Sequence, residues 1–330
     1  MKALSRRHAM HGATALTTAL LGGCSKPSLP PRDPIPETAP NSTVFPFLSD
    51  HIPLWPKQPP GGGGPHGPLH LAHYGELTNI AEPFLSVHRP ATPNGAAIIV
   101  AGGGGYRYIQ MTKEEIPPAR WLNSLGITVF ELIYRLPREG WNAGSAAPFQ
   151  DAQRAIRLIR TYAAAFSIDP ERIGGLGFSA GGHLLGMCAL RPDWQSYAPI
   201  DEIDRASAHL ALAILAYPVV TLLPPYQNTG TRRSLVGLNP TLEESRKWSL
   251  QTYVRPGAPP FFLVHAANDR IASAANTAIL EAACRKNGVP VARHLFPVGS
   301  HGFGLGRPGM ACAMWPRMAE RWLRGIGFMT

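Results

Sequence analysis

Between about residue 69 and the C-terminus, short apolar runs alternate with segments of helical periodicity, and this alternation limits the folds open to the chain. The runs at 80–87, 96–100, 127–134, 172–178, 211–216, 261–265 and 291–296 predict strands. Several are continuously apolar, the pattern of strands covered on both faces of a parallel sheet. Segments 118–125, 147–166, 180–190, 272–287 and 311–324 predict helices. Gly288, just after Asn287, supplies a stop, and Lys286 suits a last helical turn. Strands alternating with helices over some 250 residues predict a single α/β domain with a doubly wound, mostly parallel sheet. Residues 221–260 break the alternation and predict an insertion over the carboxyl edge of the sheet, where ligands bind in such folds. With 45% apolar residues in 330, the chain can bury a large core, which excludes a disordered protein.

The chain begins MKALSRRHAMHGATALTTALLGGC, the layout of an export leader. Lys2, Arg6 and Arg7 form a positive start. Residues 13–21 form a weakly apolar stretch, too short to span a membrane, and Gly22 and Gly23 precede Cys24. Ser5-Arg6-Arg7 resembles a twin-arginine signal. Leu21-Gly22-Gly23-Cys24 resembles a bacterial lipobox, in which the cysteine is lipidated and becomes the first residue. The expected organisation is a leader over 1–23, a Pro- and Gly-rich tether and lead-in over 24–68, and the α/β-domain over 69–330. The expected location is the periplasmic side of a bacterial membrane, or outside the cell, with membrane contact through lipid on Cys24 alone.

Removing the leader's three cations leaves 28 basic against 21 acidic residues, a net charge near +7. These cations are scattered and form no dense tract, so nucleic acid is not an expected partner. Gly61 to Gly64 read as a flexible loop, since no phosphate-loop lysine follows. Of the four cysteines, Cys188 reads as a buried small hydrophobe, and Cys284–Cys312 is the one pairing open to an exported chain.

The chemistry centres on Gly177-Phe178-Ser179-Ala180-Gly181, placed between a predicted strand and a predicted helix. A sharp strand-to-helix turn holds such a serine in a strained conformation, and the flanking glycines remove side chains that would clash. A hydroxyl near neutral pH needs a base, and the base needs an orienting acid, here expected in the order Ser, Asp, His. Asp269 follows the strand FFLVHA and His301 follows VARHLF, so both stand at strand ends. Asn268 would orient an imidazolium poorly, and Asp193 is the alternative acid. His265 and His294 lie inside strands and read as core or surface histidines; His183 reads as packing behind the serine. For a developing oxyanion, the backbone N–H of Ala180 and the loop Ala101-Gly-Gly-Gly-Gly-Tyr106 supply donors, with Gly103 and Gly104 expected to contribute. The residues show no metal-ligand spacing, so neither metal nor cofactor is expected.

These segments together, AGGGGY, WLNSLGITVFELIYRL, FQDAQRAIRLIRTYAAAFSIDPERIGGLGFSAGGH, PPFFLVHAANDR and HLFPVGSHGFGL, resemble the α/β-hydrolase group that contains acetylxylan esterases and feruloyl-esterase-like (BD-FAE-like) enzymes. The resemblance runs from about Leu69 to the C-terminus, with PLWP at 53–56 similar to the stretch leading into that domain. It implies metal-free hydrolysis of carbohydrate or aryl esters, with Ser179 as nucleophile, Asp269 as acid, His301 as base, and Gly103 and Ala180 as donors. Asp151 matches an acid common at the start of its helix and reads as structural. The chain departs from the group at Gly102, often proline, and at Asn268 and 271–273, often a second aspartate and a valine-proline.

The reading that follows is an exported serine esterase removing acyl groups, acetyl or feruloyl, from a small-molecule or oligosaccharide ester. A carboxylesterase or lipase on small lipophilic esters would use the same three residues. A non-catalytic cell-envelope binding module on a hydrolase scaffold is the reading of another class. Tyr106, Arg107, Tyr108, Trp141 and Trp248 are candidates for the alcohol side of the pocket.

Overall fold

The computed structural model describes residues 51–329. Cys24 and the leader lie outside the described residues. The strands are β1 (His51–Pro53), β2 (His70–Leu71), β3 (Glu76–Thr78), β4 (Phe84–His88), β5 (Ala97–Ala101), β6 (Ile109–Gln110), β7 (Thr128–Ile133), β8 (Ile173–Phe178), β9 (Ala213–Ala216), β10 (Phe261–Ala266) and β11 (Val291–Phe296). The helices are α1 (Met111–Glu114), α2 (Ile116–Ser124), α3 (Ala147–Thr161), α4 (Ser179–Leu190), α5 (Gly230–Val236), α6 (Leu242–Lys247), α7 (Ala275–Lys286) and α8 (Trp315–Gly325).

Eight strands form one sheet in the order β1-β4-β7-β5-β8-β9-β10-β11, and β2, β3 and β6 form a small separate sheet. From β7 to β11 every pairing is parallel; β4 is antiparallel to both β1 and β7. The predicted mostly parallel, doubly wound sheet is therefore present. Strands β5, β7, β8, β9 and β10 are buried along their whole length, as their mostly apolar runs require, with Glu131 in β7 and His265 in β10 as buried polar exceptions. One face packs against α3, α4 and α7 through residues such as Phe149, Ile156, Leu185 and Leu280. The other packs against α2 and α8 through Leu122, Trp315, Ala319 and Leu323.

The folded part begins earlier than residue 69. His51, Ile52 and Pro53 pair with Ser86, Leu85 and Phe84, and Leu54 and Trp55 enter the core. Asp151 secures this lead-in. Its carboxylate accepts from Trp55 Nε1 at 2.8 Å, from the Arg135 backbone N–H at 2.8 Å and from Arg135 Nε at 2.9 Å. It is structural as expected, but it ties β7 and the lead-in to α3 rather than capping its own helix. Cys188, Cys284 and Cys312 are all buried free thiols, so the pairing of Cys284 with Cys312 is not made.

Candidate active site

The geometry of the site starts from the parallel strands. Their carboxyl ends lie along one edge, so the loops after β5, β8, β10 and β11 open on the same side. Those loops carry the glycines, Ser179, Asp269 and His301.

Ser179 stands where β8 turns into α4, with φ +50°. A non-glycine residue in this region is strained by about 1–3 kcal/mol, and the surrounding packing must enforce it. Gly177 and Gly181 make the turn possible. A Cβ on Gly181 would lie 2.0 Å from the Ala101 carbonyl oxygen, and one on Gly177 2.4 Å from the Gly181 carbonyl oxygen.

The predicted acid and base meet this serine. Ser179 Oγ lies 2.8 Å from His301 Nε2, and His301 Nδ1 lies 2.7 Å from Asp269 Oδ2. Asp269 Oδ1 accepts from the backbone N–H groups of Ile271 at 2.8 Å and Ala272 at 2.9 Å. Burial opposes ionisation of Asp269. Hydrogen bonds from His265, His301 and the Ala272 N–H outweigh it and hold the carboxyl well below the usual range. A permanently ionised acid is what an orienting partner for His301 requires.

Two residues beside this chain have larger parts than the sequence revealed. His265 is buried, and its Nε2 donates toward Asp269 Oδ2 at 3.1 Å and the Ala272 carbonyl at 2.9 Å. Asn268 Oδ1 accepts from the N–H groups of Gly299 at 3.0 Å and Ser300 at 2.8 Å, fixing the loop that carries His301. The signal for Asn268 was its place at the strand end beside Asp269. The alternative acid Asp193 instead pairs with Arg255 on the surface at 2.9 Å.

The glycine loop is held from below by adjacent buried carboxylates. Gly103 N–H donates to Glu114 Oε2 at 2.7 Å, and Gly102 N–H donates to Glu115 Oε1. Tyr217 donates to Glu114 Oε1 at 2.9 Å while its hydroxyl oxygen accepts from Gly304 N–H at 3.0 Å. Glu114 thus connects the glycine loop with the segment that follows His301. Burial raises the Glu114 carboxyl, opposed by the Gly103 N–H and His301. The structure therefore corrects the reading of Gly103, whose N–H is already given to Glu114. Gly104 N–H has no acceptor among the described residues, and Ala180 N–H, in the first turn of α4, has none within its helix. The clue to the carboxylates was the pair Glu114-Glu115 just beyond the glycine run.

Above Ser179 lies an open pocket of about 350 Å3, lined in part by Gly104, Arg107, Tyr108, Lys113, Thr231 and Arg233 beside Ser179 and His301. The insertion contributes α5, as predicted. Arg107 and Tyr108 reach the pocket; Tyr106, Trp141 and Trp248 are instead buried in the fold. Tyr106 bonds His183 Nδ1 at 2.9 Å, and His183 Nε2 donates to the Trp248 carbonyl at 2.7 Å, so His183 packs behind the serine as expected.

A mostly parallel eight-stranded sheet with a strained serine between a central strand and its helix defines an α/β-hydrolase. Residues 85–284 match the BD-FAE family model, and the chain belongs to that family. It is similar to the acetyl ester-xyloside bifunctional hydrolase from Caldicellulosiruptor lactoaceticus, with 33% identity, a TM-score of 0.70, and coverage of 85% of this chain and 97% of that one. It is 30% identical over 232 residues to endo-1,4-beta-xylanase B of Butyrivibrio fibrisolvens, covering 70% of this chain and 35% of that protein. It is 29% identical over 221 residues to an acetylxylan esterase of Xylanibacter ruminicola, covering 66% and 43%. The chain thus spans less than half the length of these two curated relatives.

Proposed function

We propose that this chain is a serine esterase that removes small acyl groups, acetyl foremost, from carbohydrate. The observation that carries the reaction type is the unbroken chain Ser179 Oγ–His301 Nε2, 2.8 Å, and His301 Nδ1–Asp269 Oδ2, 2.7 Å. In the proposed mechanism, Ser179 Oγ attacks the ester carbonyl while His301 Nε2 takes its proton. Gly104 and Ala180 N–H groups stabilise the oxyanion. His301 returns the proton to the leaving alcohol, and the acyl group stays on Ser179. Water then attacks this acyl-enzyme with His301 as base, which releases the acid and restores the hydroxyl. Asp269 stays ionised throughout and stabilises the imidazolium.

The substrate class rests on the pocket lining. Arg107, Tyr108, Gln110, Thr229, Thr231 and Arg233 suit a hydroxyl-rich alcohol better than a lipid chain. Relatives named as acetylxylan esterase and acetyl ester-xyloside hydrolase support the same reading. The test compares acetylated xylo-oligosaccharides with methyl ferulate and 4-nitrophenyl butyrate, alongside labelling by a fluorophosphonate probe. Ser179-dependent labelling with preferred release of acetate from the saccharide is expected. Preference for the lipophilic ester would turn the reading toward a general carboxylesterase, and absence of labelling would overturn the enzyme.

Export as a lipoprotein belongs to the same proposal and is supported by Leu21-Gly22-Gly23-Cys24 after the apolar stretch. Membrane fractionation of wild type and Cys24→Ala tests it. A soluble wild-type protein with an unmodified Cys24 would overturn the anchor and leave the esterase reading intact.

A further inference from the structure

Three cations from three separate elements line the opening that leads to Ser179. Arg107 follows the glycine loop, Lys113 lies in α1, and Arg233 lies in α5 of the insertion; all three are exposed. The Lys113 charge helps to hold down the Glu114 carboxyl and the Arg107 charge acts on the Tyr108 hydroxyl, but neither is neutralised by a contact. Among the described residues none of them forms an ion pair. Arg233 Nη1 donates to the Asn228 side-chain oxygen at 3.0 Å, and the Arg107 guanidinium stands 6.0 Å from the Tyr108 ring centroid. The carboxylate lining this pocket, Glu114, is buried and receives the Gly103 N–H and the Tyr217 hydroxyl.

Like charges converging on one concave opening repel each other, and such an opening concentrates their field on whatever enters. The arrangement therefore favours an anionic guest. Ser179, 7% exposed, lies at the floor, where the acyl group would be held, while the cations stand at the rim. The rim faces the part of the substrate that departs to solvent, the alcohol. Side chains spaced around a rim also differ from the convergent N–H groups that cradle a compact phosphate. They suit carboxylates spaced along a saccharide, and a guanidinium matches a carboxylate in two-pronged fashion. We infer that the preferred substrate is an acyl ester of an acidic saccharide, with a uronate carboxylate near the esterified sugar held by Arg107, Lys113 and Arg233. This rests on the saccharide-ester reading and narrows it.

The test uses an acetylated xylo-oligosaccharide bearing a glucuronosyl branch and the same oligosaccharide with that carboxyl reduced to the alcohol. At low salt, kcat/KM is expected to be about tenfold higher for the acidic form. The ratio should fall to within about twofold near 0.5 M NaCl, where the Debye length is only about 4 Å. Combined Arg107→Gln, Lys113→Gln and Arg233→Gln substitution should remove the preference at low salt. Equal kcat/KM for the two forms, or a preference that survives both salt and the triple variant, would overturn the inference. If neither oligosaccharide is cleaved while 4-nitrophenyl acetate is, the saccharide reading itself fails.

Discussion

The Asp269 carboxylate is shared between two histidines and two backbone N–H groups, so its charge and its direction are both fixed before any substrate arrives. Asp269→Asn removes the charge and misorients His301, and kcat should fall by about 10⁴-fold in steady-state assays. A rate within tenfold of wild type would mean that another acid orients the histidine. Ser179→Ala should bring hydrolysis to background and keep the fold, because the hydroxyl is small and its removal leaves little cavity and the same backbone turn. Activity above a few per cent, with unchanged circular dichroism, would reassign the nucleophile. Glu114 acts at one remove, as a positioning residue. Glu114→Ala frees the Gly103 N–H and the Tyr217 hydroxyl together, and kcat should drop by about 10–100-fold with KM little changed. Glu114→Gln can still accept from Gly103 and bond Tyr217, so it should recover most of the loss. Equal kcat in all three proteins would reduce Glu114 to a structural residue.

At the scale of elements, the turn between β8 and α4 is the feature the sequence displayed best, because its constraint is local. Glycines at 177 and 181 answer contacts with the neighbouring backbone, and Gly181 is pressed against Ala101 at the end of β5. Gly181→Ala should therefore destabilise the protein by about 2–4 kcal/mol, read as a lower urea midpoint at unchanged m-value. A midpoint equal to wild type would mean that β5 and α4 can separate without cost. Where the sequence misled, a distant partner decided the outcome. Helix α7 begins at Ala275 and not at 272, because Asp269 draws the Ile271 and Ala272 N–H groups toward its own carboxylate. Helix α3 stops at Thr161 and continues as a 3-10 turn over Ala163–Phe166, although the run of alanines marks no boundary. The glycine loop was legible as a loop near the serine. Which of its N–H groups is free depends on Glu114 from α1, a partner that local pattern does not reveal.

For the whole molecule, His183 is the point where three separate regions are joined. It sits in α4, accepts from Tyr106 beyond the glycine loop, and donates to the carbonyl of Trp248 in the insertion. Each ring nitrogen already has the role that a neutral imidazole allows, one donor and one acceptor, and the side chain is fully buried. A second proton would turn the acceptor nitrogen into a donor facing the Tyr106 hydroxyl. Burial accordingly pushes the His183 imidazolium down to about 4, opposed in part by its bond to the Trp248 carbonyl. The unfolded chain protonates this histidine near pH 6.5. Between about pH 6.5 and 4 the unfolded state therefore binds more protons than the native one, and stability must fall as the pH is lowered through that window. By pH 5 the contribution lost from this residue is roughly 2 kcal/mol relative to pH 7.5. His183→Gln can keep a donor and an acceptor without titrating. It should be less stable than wild type at pH 7.5, and its urea midpoint should fall by correspondingly less on acidification to pH 5. Parallel losses in the two proteins would show that the acid sensitivity of the fold originates at other groups.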